Sequence, residues 1–167
     1  MDDKTSQIAF RVKVLSAVAM KLARQDVEKR LQVERIDISP AALVVLRFIK
    51  HDHCTICELG RKMMIAPATL VPVVDSLAEK GLLKRGNDPK DRRRNPLLLT
   101  PKGSALLARV PAVAKDDLLV KCIAGMGENK SMQLVRLLEE MVTSLSGDEA
   151  ICRKLSDVAK KEHGKES

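Results

Sequence analysis

Between Thr55 and Gly103 the chain carries a series of start and stop signals that leaves few folds open to it. Thr55-Ile56-Cys57-Glu58 has the form of a capping box, in which a threonine and a glutamate three residues on satisfy each other's free backbone N–H groups. It opens a short helix through about Met64. Ala66-Pro67 opens another, because proline is tolerated in a first turn, where its missing N–H would have no partner. Leu70, Val73, Val74 and Leu77 form its apolar side, and Lys80-Gly81 closes it with a helix-final lysine and a glycine stop. Leu82-Leu83 and Leu97-Leu98-Leu99 are apolar runs short enough for the strands of a hairpin. Asp88-Pro89 between them is turn chemistry, since proline fixes its own φ and biases the residue before it away from the helix. Thr100-Pro101-Lys102-Gly103 ends the second strand and starts a further helix. Two short helices joined by a tight turn and followed by a hairpin make a winged helix-turn-helix pattern.

The hairpin tip is strongly basic. Asn87 to Asn95 reads Asn-Asp-Pro-Lys-Asp-Arg-Arg-Arg-Asn. Taken alone, such a loop is a solvated charged turn. Placed after a helix-turn-helix it becomes a wing that reaches for phosphates or into a DNA groove. The net charge of +8 fits a polyanionic partner, nucleic acid or an anionic membrane surface. Aromatic residues are nearly absent, with Phe10 and Phe48 and no Trp or Tyr. The core must therefore be aliphatic, which leans helical. The same absence argues against modules that stack single-stranded bases on aromatic platforms.

The flanks read as helices. Ile8, Val12, Leu15, Ala19 and Leu22 recur at helical spacing, and the stripe shifts to Val27 and Leu31. Such a long first helix with a narrow apolar seam often packs against another, including one from a second subunit. Asp37-Ile38-Ser39-Pro40 starts the next, with Ser39 as N-cap and Pro40 in the first turn. After Gly103 a helix runs at least to Val110, is kinked or restarted at Pro111, and resumes to about Ala124. Gly125-Met126-Gly127 is a break. Leu134, Leu138, Met141 and Leu145 mark a further amphipathic helix, and Ile151, Leu155 and Val158 a last short one. The expected fold class is mainly α with a small β wing. Its expected units are 1–36, an N-terminal dimerisation helix; 37–108, a winged helix-turn-helix DNA-binding domain; and 109–167, C-terminal dimerisation helices and tail. No run is long and apolar enough to span a bilayer, and the polar N-terminus points to a cytoplasmic protein with free thiols.

The pattern from Ile36 to Gly103 resembles the MarR family of bacterial transcription regulators. The residues that carry it are Ser39-Pro40, Thr55-x-x-Glu58-Leu59, Leu77-Ala78-Glu79-Lys80-Gly81-Leu82, the wing Asp88 to Arg94, and Leu99-Thr100-Pro101-Lys102-Gly103. The resemblance implies an obligate homodimer whose N- and C-terminal helices form the interface and whose two winged helices grip one palindromic site on double-stranded DNA. It also implies that Asp91 pairs with a wing arginine, Arg93 being the expected one, and holds the loop's shape. Proteins of this kind often bind small aromatic acids or lipophilic compounds between their dimer and DNA-binding parts and then release DNA. The lack of Tyr and Trp argues against a stacked aromatic ligand. Such a protein is a regulator, most simply a repressor; the alternative is a winged-helix architectural or protein-interaction module that binds DNA without sequence choice. No nucleophile elbow, phosphate loop or carboxylate pair at a recognisable spacing suggests an enzyme, and no cofactor is implied.

The expected DNA-binding residues are Arg61 and Lys62 on the first helix of the pair, Ala68, Thr69, Leu70, Val71 and Ser76 on the recognition helix, and Lys84, Arg85, Lys90, Arg92, Arg93 and Arg94 on the wing. Lys102 is a further backbone contact of the kind that positions a protein without reading sequence. The recognition helix departs from the family. Ala66 to Val74 holds no charged residue and no amide, and Pro72 sits inside the helix. Either specificity comes from thymine-methyl contacts with wing and shape readout, or the domain has lost strong specific binding.

His51, His53, Cys54 and Cys57 place four potential zinc ligands within seven residues. A second ligand pair is missing, and the simpler reading puts both histidines in a turn and Cys57 in a small packing role. A Cys54–Cys57 redox pair is the other reading, since a thiol in a helix's first turn has a lowered pKa. Cys122 and Cys152 read as buried small hydrophobes, and Met20, Met63, Met64, Met126, Met132 and Met141 as core filler or the lining of a ligand pocket.

Overall fold

The computed structural model describes residues 3–87, 94–114, 116–153, 156–157 and 160. In chain order these form α1 (Asp3–Val33), α2 (Pro40–His51), α3 (Ile56–Met63), α4 (Pro67–Glu79), β1 (Leu83–Arg85), β2 (Leu97–Leu99), α5 (Pro101–Arg109), α6 (Leu118–Met126) and α7 (Glu128–Ser146). The helix starts fall where the capping residues predict them. The Ser39 side chain accepts a hydrogen bond from the Ala42 N–H at 3.2 Å, and Thr100 does the same for Gly103 at 3.0 Å. The helix after Gly103 is shorter than expected. It ends at Arg109, because Pro111 has no N–H to continue the ladder, and the next helix among the described residues starts at Leu118. The expected break at Gly125 to Gly127 narrows to Gly127, whose φ is +77°. Ile151 opens a helical turn; Leu155 and Val158, expected to extend it, lie outside the described residues.

One aliphatic core holds the middle of the chain together. Leu43, Val45, Leu46 and Ile49 of α2 meet Leu59 of α3, Leu70, Val74 and Leu77 of α4, and Leu83 and Leu97 of the sheet. Leu46, Ile49, Leu59, Val74 and Leu97 have no exposed surface. The sheet is antiparallel, with Leu83 opposite Leu99 and Arg85 opposite Leu97. Cys54 adds a bridge to Leu97, whose N–H donates to the Cys54 carbonyl at 2.8 Å. Gly103 is required where α5 leaves the sheet: a Cβ there would lie 2.1 Å from the Leu82 carbonyl oxygen.

The flanking helices behave differently. In α1, Leu31 is buried and Val27 packs on the core, as the shifted stripe predicts. Its earlier stripe is left uncovered: Ile8, Val12, Leu15 and Leu22 are exposed, as is Phe10 at 68%. Helix α6 has no buried residue, and Ser131 alone is buried in α7. Two carboxylates tie α6 to the far end of α1. Arg30 Nη2 lies 3.0 Å from both Asp26 and Asp117, and Asp117 also caps α6 by accepting from the Leu119 N–H at 2.8 Å. The reading of Cys122 and Cys152 as buried is corrected by the fold, since Cys122 is exposed and Cys152 half-buried. Of the methionines, Met63 packs against the core while Met20, Met64 and Met132 are exposed.

Candidate nucleic-acid interface

The capping box at the start of α3 is complete. Thr55 Oγ1 accepts from the Glu58 N–H at 3.3 Å, and Glu58 Oε2 accepts from the Thr55 N–H at 2.8 Å. Helix α3 ends on Met64 in the left-handed region, at φ +55°, and the Ile65 N–H returns to the Gly60 carbonyl at 2.9 Å. This closes a turn tight enough that a Cβ on Gly60 would come within 2.7 Å of the Ile65 carbonyl oxygen. Pro67 then begins α4, which packs directly against α3.

Helix α4 divides sharply between its faces. Leu70, Val74 and Leu77, spaced at four and three, turn inward, while Ala68, Thr69, Val71, Pro72, Asp75 and Ser76 lie outside. Leu70 is only 3% exposed, so its expected contact with DNA is corrected: its side chain belongs to the core. Pro72, on the exposed side of α4, has no N–H to donate to the Ala68 carbonyl. At the other end Gly81 takes φ +69° and the Leu82 N–H reaches back to the Leu77 carbonyl at 2.9 Å. Lys102 is engaged at this stop. Its ammonium donates to the Lys80 carbonyl at 2.8 Å, and the Thr100 hydroxyl donates to the Gly81 carbonyl at 2.7 Å.

The wing is braced on both strands. Arg85, at the end of β1, donates to Asp75 of α4 at 2.6 Å. Arg94, ahead of β2, donates to Glu58 of α3 at 2.9 Å, so one glutamate both caps α3 and holds the return of the wing. The Thr55 N–H hydrogen bond holds the Glu58 carboxyl below its usual pKa; partial burial opposes this and Arg94 adds to it. Two of the arginines expected at DNA are thus engaged by acids of the helix pair. Sequence reasoning missed Asp75 and Glu58 in this role, because nothing in the linear order places either beside a wing strand. Lys84 and Arg61 are exposed, and Lys62 pairs with Asp52. Lys90, Asp91, Arg92 and Arg93, and with them the expected Asp91–Arg93 pair, lie outside the described residues.

The histidine–cysteine segment is not drawn together. Cys54 is buried behind the sheet, where burial raises its thiol pKa, whereas Cys57 is exposed on α3. Among the described residues no three His, Cys, Asp or Glu side chains are grouped to hold a metal ion. A hollow of about 450 Å³ does lie between α3 and the wing root, lined by Asp52, His53, Cys54, Glu58, Arg61, Lys62 and Arg94.

A capped helix, a tight turn, a second helix and a two-stranded hairpin braced against both define a winged helix-turn-helix protein. The profile of the MarR family matches residues 38–94, the stretch from the start of α2 through α3 and α4 to Arg94. The chain is 26% identical over 136 residues to the HTH-type transcriptional repressor MdtR of Bacillus subtilis, covering 81% of this chain and 85% of that protein. A putative transcriptional regulatory protein for the hcr operon of Thauera aromatica is 45% identical over 60 residues, 35% of this chain and 36% of that one. The fold matches a cysteine-to-serine mutant of E. coli MarR in complex with operator DNA, with a TM-score of 0.70, 23% identity and coverage of 84% and 99% of the two chains. It also matches the S. aureus MepR–DNA complex, with a TM-score of 0.66, 20% identity and coverage of 83% and 97%. Among the described residues no helix is long and apolar enough to cross a membrane.

Proposed function

We propose that the protein is a transcriptional regulator of the MarR type that binds double-stranded DNA, acting as a homodimeric repressor on a palindromic operator in the cytoplasm. The observation that carries this reading is the arrangement of α3, α4 and the wing. Helix α4 stands free on its outer face beside a basic hairpin, the geometry that lets a recognition helix enter a major groove while the wing follows the backbone. Arg61, Lys62, Lys84 and the wing-tip Lys90, Arg92 and Arg93 then supply phosphate contacts, with an arginine of the tip entering a narrow minor groove. Arg85 and Arg94 act first on the wing itself, through Asp75 and Glu58.

Dimerisation is supported by uncovered apolar surface. The accessible surface of 12189 Å² exceeds the roughly 8,200 Å² of a compact monomer of this mass. Helix α1 exposes Ile8, Phe10 and Leu15, α6 exposes Leu118 and Leu119, and α7 exposes Leu137 and Leu145, and residues 1–36 and 109–167 are proposed as the interface. A ligand site between interface and winged helix would complete a ligand-responsive repressor.

Selection of bound sequences from a random DNA pool, followed by footprinting, tests the reading. A discrete protected palindrome is expected; uniform protection would replace the operator reading with non-specific binding. Replacing Arg92 and Arg93 together by alanine should lower affinity and flatten its salt dependence, with the slope falling by about 1 for each phosphate that is no longer neutralised.

A further inference from the structure

The outer face of α4 departs from what base recognition by hydrogen bonding requires. The part of a recognition helix that meets base edges is its N-terminal portion. In α4 this portion exposes Ala68, Thr69, Val71 and Pro72, and the Thr69 hydroxyl is its only side-chain hydrogen-bonding group. Val71 is 40% exposed although it is a branched apolar residue on a short helix whose inner face is fully packed. The acid that follows, Asp75, is held by Arg85 at 2.6 Å, which turns its charge toward the wing. What a hydrocarbon face can distinguish in a major groove is the C5-methyl group of thymine, the one apolar feature displayed there.

Resting on the proposed DNA-binding function, we propose that α4 reads thymine C5-methyl groups through Val71, Pro72, Ala68 and the methyl of Thr69. Each operator half-site then carries a short thymine tract under α4, recognised by shape and methyl contact in place of bidentate hydrogen bonds. Pro72 contributes by its ring, which stands on the exposed side of α4. Val71 is the residue with the most side chain to bury.

The test uses the full-length protein and a site obtained by selection. Thymines of the site are replaced one at a time by deoxyuridine, which removes the methyl and keeps every hydrogen-bonding group. Affinity should fall by about fourfold at each thymine under α4, the loss expected for one buried methyl-sized group, and should not change at thymines outside that tract. Cytosine placed at the same position should bind better when it carries a 5-methyl group. Val71→Ala, which raises helix propensity and so keeps the fold, should remove most of the deoxyuridine penalty at one thymine and leave the others. A selected site indifferent to deoxyuridine, or one with no thymine under α4, would overturn the methyl readout while leaving the regulator reading intact. Failure to enrich any sequence would overturn both.

Discussion

Glu58 shows how much one side chain of this domain carries. It closes the capping box on Thr55 and takes the Arg94 guanidinium from the wing. Its carboxyl titrates below the ordinary range, chiefly through the Thr55 N–H, so the sign of its contribution is determined. Stability from Glu58 is present above the unfolded-state carboxylate pKa of about 4.3 and is lost as pH falls through the lower folded value. Glu58→Gln keeps a capping side chain but cannot titrate. The gap in urea midpoint between wild type and this variant should be widest near neutral pH and close as pH approaches about 3; a gap that widens on acidification would contradict the assignment. Gly103 is a second single-residue constraint. With a Cβ placed 2.1 Å from the Leu82 carbonyl, Gly103→Ala should cost at least about 2 kcal/mol in urea unfolding, because backbone, not a movable side chain, stands in the way.

At the scale of elements, α4 is the one whose sequence works against its own stability. An interior proline costs about 3 kcal/mol in an unadapted helix. Pro72 lies on the exposed side of α4, and it leaves the Ala68 carbonyl without its helical N–H donor. Pro72→Ala should therefore stabilise the protein by about 1–2 kcal/mol, read as a higher unfolding midpoint, while weakening DNA binding if the proline ring meets the groove. A destabilised Pro72→Ala protein would mean that the proline ring is needed for packing beside the start of α2. The wing is the complementary case. Its strands are three residues each and its hairpin is held by the Arg85–Asp75 and Arg94–Glu58 pairs as well as by the buried Leu83 and Leu97. Those pairs are partly exposed, so each contributes at most about 1 kcal/mol; their effect is on where the hairpin points.

For the molecule as a whole, the decisive fact is the contrast between a closed middle and open ends. The central core is fully packed, whereas α1 exposes Phe10, Leu15 and Met20 and α7 exposes Leu137 and, at 80%, Leu145. Leu15→Glu, a change on a face left open by its own chain, should leave the monomer folded but shift light-scattering mass from dimer to monomer. Operator affinity should then fall by a factor on the order of a hundred, because the second winged helix no longer binds as a tethered partner. A variant that stays dimeric would remove α1 from the proposed interface.

The helix starts and stops were legible because they are local. Ser39-Pro40, Thr55-x-x-Glu58, Pro67, Gly81 and Thr100 each satisfy or release backbone groups within a turn of their own position, so the order of residues is enough to determine them. The winged helix followed from that punctuation, and the lack of charged or amide residues from Ala66 to Val74 was legible directly. Partnership across the chain was not legible. Lys102 donates to the Lys80 carbonyl at the end of α4, Arg85 and Arg94 face acids on two different helices, and Leu70 turns inward while Val71 beside it turns out. Periodicity identified the stripe on α1 but could not say that its first half finds no cover in its own chain. The physical reason is range: capping and turn energies act over a few neighbouring residues, while ion pairs and burial depend on distances that exist only once the whole chain has packed.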